Sequence, residues 1–309
     1  MDHVSLQEPG PGEVLLRQEA AGVNFIDTYH RKGLFPIGEL PRALGVEGAG
    51  VVEAIGPGVT SVRVGERVSY PRSPVIGGYA SRRTIPEWLL MRLPDGIDTD
   101  TAAAISLRGM TAHMLMSRVR PLNAGDTVLV HSAAGGLGLV LVQWAKALGV
   151  RVIGTVGSPA KADLASSAGA DAVILYKNAD FVEATRELTN GAGVDVVYDG
   201  VGGDNFTRSL AVIKPFGMAI NLGQSGGPLP TVGLAELGPY QSLSVSVPGL
   251  SPYLRTLAAV QPAADQVFAR VLDGTLKVHI GARFPLAQAA DAHRLIESAQ
   301  STGSIILLP

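Results

Sequence analysis

Along the first third of the chain, apolar and polar positions alternate in short runs broken by glycine and proline. Glu13–Ala20, Gly48–Ile55, Glu66–Tyr70 and Gly77–Ile85 read as strands. Turns such as Glu8-Pro9-Gly10-Pro11-Gly12 and Gly56-Pro57-Gly58 separate them. Many short strands between turn signals predict a compact β-barrel-like domain. The pattern changes near Thr99, where Thr99–Ser106 and Met110–Arg118 take on helical character. A regular alternation follows. Strands are predicted at Thr127–His131, Arg151–Val156, Ala172–Tyr176, Val194–Asp199, Met218–Gly223 and Leu243–Val247. Helices are predicted between them, at Leu137–Leu148, Pro159–Ser167, Phe181–Leu188 and Asp204–Ile213. Gly149 stops the first helix, and Ser158 caps the second with proline at its first position. Short apolar strands alternating with helices build βαβ units and a parallel sheet. This α/β domain is placed at 108–247. Beyond it, Pro252–Leu272 and Leu286–Ala299 read as helices, and Val278–Phe284 and Ser304–Leu308 as strands. These tail strands have no βαβ rhythm of their own. They are expected to return to the first domain, which then comprises 1–107 and 248–309, with the second inserted into it.

Composition narrows the functional classes. Apolar residues make up 46% and charged residues 17%, which excludes an intrinsically disordered chain. The net charge of −2 supplies no basic field for nucleic acid or acidic lipid. The longest apolar stretch, Val128–Ala147, contains His131, Ser132, Gln143, Lys146 and several glycines. It reads as a buried strand-turn-helix and not as a membrane span. Met1–Glu8 shows neither a basic nor an apolar signal region, so a soluble cytoplasmic protein is expected. The chain has no cysteine, which excludes disulfides, thiolate zinc sites and cysteine nucleophiles. Glycine is in excess: 38 of 309 residues, where about 7% is usual.

Part of that excess carries chemistry. His131-Ser132-Ala133-Ala134-Gly135-Gly136-Leu137-Gly138 follows a predicted strand and opens a predicted helix. In the G-x-G-x-x-G dinucleotide fingerprint, Ala133 takes the first position, Gly135 the second and Gly138 the third. Gly135 lets backbone approach a pyrophosphate, Gly138 lets the helix pack on the strand, and the helix N-terminus attracts the anion. A doubly wound (Rossmann) cofactor domain is therefore expected. About 20 residues beyond the fingerprint an acidic residue would bind the ribose of NAD. Gly157 stands there, with Ser158 and Lys161 beside it. A missing carboxylate removes repulsion against a 2′-phosphate, and Lys161 can pair with it. NADPH is the expected cofactor.

Further segments extend the pattern: Gly22-Val23-Asn24-Phe25-Ile26-Asp27-Thr28-Tyr29, Gly45-Val46-Glu47-Gly48-Ala49-Gly50, Gly65-Glu66-Arg67-Val68, Gln143-Trp144-Ala145-Lys146, Val197-Tyr198-Asp199-Gly200-Val201-Gly202 and the tail Thr302–Pro309. With the glycine turn, they make the chain resemble the zeta-crystallin-like NADPH:quinone oxidoreductases of the medium-chain dehydrogenase/reductase superfamily. The resemblance spans nearly the whole chain. It implies a GroES-like β-barrel catalytic domain carrying the inserted Rossmann domain, and a homodimer. It also implies that the first hairpin is missing, since the chain begins later than such proteins usually do. Zinc-dependent relatives place a cysteine where Asn24 stands and a histidine where Val46 stands, so no zinc is expected. None of the six histidines makes an H-x-H or H-E-x-x-H pattern.

A zinc-free site suits a particular substrate class. Reducing an aldehyde creates a basic alkoxide that needs a Lewis acid or a strong proton donor. Reducing a quinone creates a far less basic oxyanion, which hydrogen-bond donors can stabilise. The expected reaction is hydride transfer from NADPH to a quinone, giving hydroquinone or semiquinone, with an enone as the alternative substrate. The resemblance places Asn24 and Tyr29 beside the nicotinamide. Tyr29 is a candidate hydrogen-bond donor to the substrate, or merely a packing ring; Asn24 is a candidate catalytic group, or merely the cap of the helix that follows. Residue by residue, the resemblance sets Thr111 near the nicotinamide. It sets Gly136 and Leu137 at the pyrophosphate, and Ser158, Lys161 and Tyr176 around the 2′-phosphate. Val201, Gln224, Ser225 and Leu250 form walls of the nicotinamide half. Relatives often carry an arginine where this chain has Ala299, and another where it has Val247, so a narrower preference for NADPH over NADH is expected.

Two rival readings compete with this one. Gly223-Gln224-Ser225-Gly226-Gly227 matches the G-x-S-x-G of serine hydrolases. That motif needs a helix straight after the serine, which Pro228 and Pro230 oppose. A non-enzymatic, crystallin-like NADPH-binding protein is the other, because fold does not fix function.

Overall fold

The computed structural model describes residues 8–72 and 76–309. The expectation drawn from Met1–Glu8 falls almost wholly outside them. The chain runs through β1 (Glu13–Val23), α1 (Phe25–Arg31), β2 (Gly48–Ile55), β3 (Arg67–Tyr70), β4 (Arg82–Pro86), β5 (Met91–Arg92) and α2 (Thr99–Met114). There follow β6 (Thr127–His131), α3 (Gly136–Ala147), β7 (Arg151–Val156), α4 (Pro159–Ser167), β8 (Ala172–Leu175), α5 (Phe181–Leu188), β9 (Val194–Asp199), α6 (Gly203–Ser209), β10 (Ile213–Asn221), α7 (Leu234–Leu237) and β11 (Ser244–Ser246). The tail adds α8 (Leu250–Tyr253), α9 (Leu257–Leu272), β12 (Ile280–Pro285), α10 (Ala289–Glu297) and β13 (Ser304–Leu308). They form two compact units: the residues up to Thr111 with Leu250–Pro309, and Ala112–Gly249.

In the first unit, β1 is the central strand of a sheet ordered β12-β13-β1-β2-β3-β5, with β4 also paired to β1. The first half of β1 pairs with β2 and β4, and its last three residues pair with β13. Alternation in β1 explains the first half, since Val14 and Leu16 point into a core with Val52, Val68, Tyr70 and Ile85. From Ala20 to Val23 the strand is buried on both faces. Ala21 and Val23 there pack against Ala292, Ile296, Ile305 and Leu307 of the tail. The tail strands thus complete the first sheet.

Several elements differ from the sequence pattern. The strand expected at Gly77–Ile85 begins only at Arg82, because the backbone N–H groups of Gly77 and Gly78 both donate to the Gly45 carbonyl in a loop. The two helices expected at Thr99–Ser106 and Met110–Arg118 are one, α2, whose end loosens over Leu115–Val119. Gly109 is kept inside it by packing: an added Cβ would lie 2.4 Å from Val267 of α9. Pro252–Leu272 is interrupted between α8 and α9. Asp204–Ile213 stops as an α-helix at Ser209, and Ile213 already belongs to β10.

The second unit is a six-stranded sheet, ordered β11-β10-β9-β6-β7-β8, with every pair parallel. This is the doubly wound order, and it reverses between β6 and β9. All five residues of β6 are buried, as expected for a strand covered on both faces. Such sheets bind ligands in the crevice outside the carboxyl ends of the strands at the reversal. Two loops meet that description: Ser132–Gly135 after β6 and Gly200–Gly202 after β9.

Candidate active site

The β6–α3 turn is built by close approach. Ser132 takes a left-handed φ of 55°, and its carbonyl accepts the Gly135 N–H at 2.9 Å. A Cβ on Gly138 would lie 2.3 Å from that same carbonyl oxygen, so helix and turn meet only through bare backbone. Ala133 stands where a glycine is usual. It fits because β7 offers Gly154 opposite: a Cβ there would come within 2.7 Å of the Ala133 methyl. Gly135 caps α3, and Gly136 and Leu137 form its first turn. Their N–H groups and the helix dipole suit a pyrophosphate.

His131, the last residue of β6, is not part of that cradle. Its ring is buried between Thr155 Oγ1 and Ser209 Oγ, each at 2.9 Å. Ser209 gives its own hydrogen to the Asn205 carbonyl, so it accepts from His131 Nε2–H, and Thr155 donates to Nδ1. Burial holds His131 down to about 4. It stays neutral and ties β6, β7 and α6 together.

After β9, Asp199 organises the second loop. One carboxylate oxygen accepts the N–H groups of Val201 (2.6 Å) and Gly202 (3.1 Å), and the other accepts from Asn205 Nδ2. Gln224 and Ser225 come to this loop. Ser225 donates its backbone N–H and Oγ–H to the Gly200 carbonyl, and Gly226 N–H donates to the Val201 carbonyl. No helix follows Ser225 directly, since α7 begins only at Leu234. The nucleophile-elbow geometry is absent there.

At the ends of β7 and β8, Gly157 and Tyr176 are in contact. A Cβ on Gly157 would lie 2.7 Å from the Tyr176 hydroxyl, so glycine here admits the half-exposed tyrosine ring. Ser158 caps α4 through its backbone carbonyl, which accepts the Ala162 N–H. Lys161 lies in the first turn of α4. Its pKa is lowered by partial burial and by the nearby Lys177. Two mutually repelling lysines suit a doubly charged phosphate. A cavity of about 420 Å³ opens beside Tyr176 and Lys177, lined also by Asn178, Asp180 and Arg208 and not by Lys161.

In the first unit Asn24 and Tyr29 lie on one short helical segment. Tyr29 is nearly buried, with its ring edge-on to Phe35 at 5.6 Å and tilted against Phe25. Asn24 is the N-cap of α1, but its side-chain amide turns elsewhere: Nδ2 donates to Glu47 Oε2 at 2.8 Å. Asp27 makes the capping contact instead, accepting the Asn24 backbone N–H at 2.8 Å. Thr111 donates to the Leu107 carbonyl, one turn from the Leu107 N–H that Glu47 also binds. Leu250 is buried at the start of α8.

Comparison with known proteins identifies the family of the chain. Residues 10–95 match the family model described as an alcohol dehydrogenase GroES-like domain. Residues 136–251 match that of a zinc-binding dehydrogenase. A quinone oxidoreductase of Pseudomonas aeruginosa is 45% identical over 302 residues, 98% of this chain and 93% of the relative. A 2-haloacrylate reductase of a Burkholderia species is 41% identical over 314 residues, 100% of this chain and 94% of the relative. The crystal structure of Escherichia coli quinone oxidoreductase complexed with NADPH superposes with a TM-score of 0.96 at 39% identity, covering 100% of this chain and 95% of that one. The chain belongs to the quinone oxidoreductase group of the medium-chain dehydrogenase/reductase superfamily.

Asn24 and the apolar Val46, expected at the positions of zinc ligands in zinc-dependent relatives, are both buried. Among the described residues no group of three or more His, Asp or Glu could hold a metal ion. The buried charge beside Asn24 is Glu47, and its partner is Arg108, with Nη1 at 3.2 Å from Oε2. Sequence reading did not single out Glu47, Arg108, Asp27, Asp199 or Lys177. Glu47 and Asp27 lay inside motifs that carried the family resemblance. Their burial depends on which helix covers them, and that has no local signal.

Proposed function

We propose that this protein reduces quinones with NADPH, as a cytoplasmic homodimer. The observation that carries this reading is full-length similarity to quinone oxidoreductases, one of them solved with NADPH, combined with an intact β6–α3 cradle. NADPH supplies the hydride. The first turn of α3, with Gly135, Gly136, Leu137 and Gly138, binds the pyrophosphate through backbone N–H groups. Lys161, Tyr176 and Lys177, with Ser158 beside Gly157, hold the 2′-phosphate and select NADPH over NADH. Val201, Gln224, Ser225, Thr111 and Leu250 line the nicotinamide half. Asn24 and Tyr29 present hydrogen-bonding groups to the substrate oxygen as negative charge develops on it. With Ala299 in place of a tail arginine, the margin between the two cofactors is narrow.

Support for the dimer comes from β11, an edge strand of its sheet. Leu234, Tyr240 and Val247 around it are 86%, 96% and 62% exposed, more apolar surface than a solvated edge needs. A second reading concerns substrate. The 41% identity to a 2-haloacrylate reductase favours an activated alkene as alternative acceptor. NADPH oxidation followed by absorbance against ortho-quinones, para-quinones, enones and 2-haloacrylates decides. Turnover confined to alkenes removes the quinone reading, and cofactor binding without turnover of any acceptor removes both.

A further inference from the structure

Asn24 is gripped at two points by two wholly buried carboxylates. Asp27 Oδ2 accepts its backbone N–H, and Glu47 Oε2 accepts its side-chain Nδ2–H, each at 2.8 Å. Glu47 has little room to do anything else. Its other oxygen accepts the Leu107 N–H of α2 at 2.6 Å. Arg108 approaches Oε2 at 3.2 Å, while its Nη2 donates at 2.8 Å to the carbonyl of Val23, the residue before Asn24. Gly22 closes the remaining side, where a Cβ would fall 2.2 Å from Oε2. The carboxylate is thus held by β1, α2 and its own arginine, and offers one oxygen to Asn24.

An asparagine amide has hydrogens at one end and lone pairs at the other, and a half-turn exchanges them. A carboxylate accepts and never donates, so Asn24 must face it with nitrogen. We propose that Glu47 is a positioning residue of the reaction, fixing the Asn24 amide so that a set N–H edge meets the substrate oxygen. This rests on the quinone reductase reading for its chemistry, but the Glu47–Asn24 pair is a property of the resting protein.

The test uses Glu47→Gln, Asn24→Ala and the double variant in the full-length enzyme. Glutamine keeps the shape but offers only one acceptor oxygen to the three N–H groups that Glu47 serves. In E47Q, kcat falls about tenfold while the dissociation constant for NADPH, read by fluorescence, stays within about twofold. The double variant shows the kcat of N24A alone, because the effect of Glu47 passes through Asn24. Multiplying effects, or an unchanged kcat in E47Q, overturn the proposal. A second readout needs no turnover. With asparagine selectively labelled with nitrogen-15, the Asn24 side-chain amide is identified by its loss in N24A. Its protons exchange slowly with water in the resting wild type and faster in E47Q. Exchange at the rate of an exposed amide in the wild type overturns the proposal, even if E47Q does not fold. Slow exchange without turnover of any acceptor leaves the pairing standing and removes only the quinone reductase reading.

Discussion

Asp27 is wholly buried, and one of its carboxylate oxygens, Oδ1, faces no hydrogen-bond partner. Burial raises its pKa from 3.8 to about 7, against the hydrogen bonds from Asn24 and Tyr79. A folded-state pKa above the unfolded value favours the folded protein at low pH, and that stability is lost as pH rises through about 7. Two buried histidines act in the opposite sense. Burial lowers His131 to about 4, and burial with the nearby Arg31 lowers His293 to about 4, so each loses stability as pH falls below 6.5. The two histidines add stability as pH rises from about 4 to 6.5 while Asp27 removes it as pH rises from 3.8 to about 7, so stability climbs with a reduced slope and levels off near pH 7. Asp27→Asn should steepen the rise of Tm between about pH 4 and 6.5; an unchanged slope there would show that Asp27 does not titrate in this range. At the cofactor, Lys161→Ala or Lys177→Ala should lower kcat/KM for NADPH about tenfold or more while sparing NADH, since a charged contact to phosphate is worth roughly 1.5–3 kcal/mol. Equal losses for both cofactors would remove these lysines from the 2′-phosphate site.

Between elements, one chain of hydrogen bonds fixes α1 to α10. Arg31 can only donate, so His293 Nδ1, 3.0 Å from its Nη1, must accept. The histidine hydrogen is then on Nε2 and goes to the Tyr79 hydroxyl at 2.9 Å, and Tyr79 gives its own hydrogen to Asp27 Oδ2 at 3.0 Å. Arg31 and Lys32 also reach Glu297 at the end of α10. The helix that carries Asn24 and Tyr29 is thus oriented by the tail of the chain. Tyr79→Phe removes the link, strands the buried His293 Nε2–H and leaves Asp27 Oδ2 with the Asn24 N–H alone, and is expected to cost about 1–3 kcal/mol. Hydrogen exchange should then quicken in α1 and α10 and not in β6–β9; a uniform change across the protein would contradict a local link. Elsewhere the local pattern was a good guide, and α4 with its Ser158 and Pro159 start matches the expectation residue for residue. It misled where a distant partner decided the outcome. Leu107-Arg108-Gly109 looked like a helix break, yet Glu47 binds Leu107 and Arg108, and Gly109 admits Val267, so α2 runs through.

For the whole molecule, the rhythm of the sequence and the glycine turn were enough to read a doubly wound cofactor domain. Size-exclusion chromatography with light scattering should give a dimer, and Leu234→Asp with Tyr240→Asp should give a folded monomer. A wild-type monomer at micromolar concentration would refute the β11 edge as an interface. The sequence by itself determined the alternation of strands and helices in the second unit and where bare backbone is needed. It also determined that no cysteine chemistry is available, because periodicity, glycine and composition act over a few residues. The tertiary structure alone decided that β13 joins β1, that Gly154 makes room for Ala133, and that Glu47, Arg108 and Asp27 are buried around Asn24. Those outcomes depend on contacts between residues far apart in the chain. Burial then sets the electrostatics of the site, because a charge removed from water interacts only with the partners that the fold supplies.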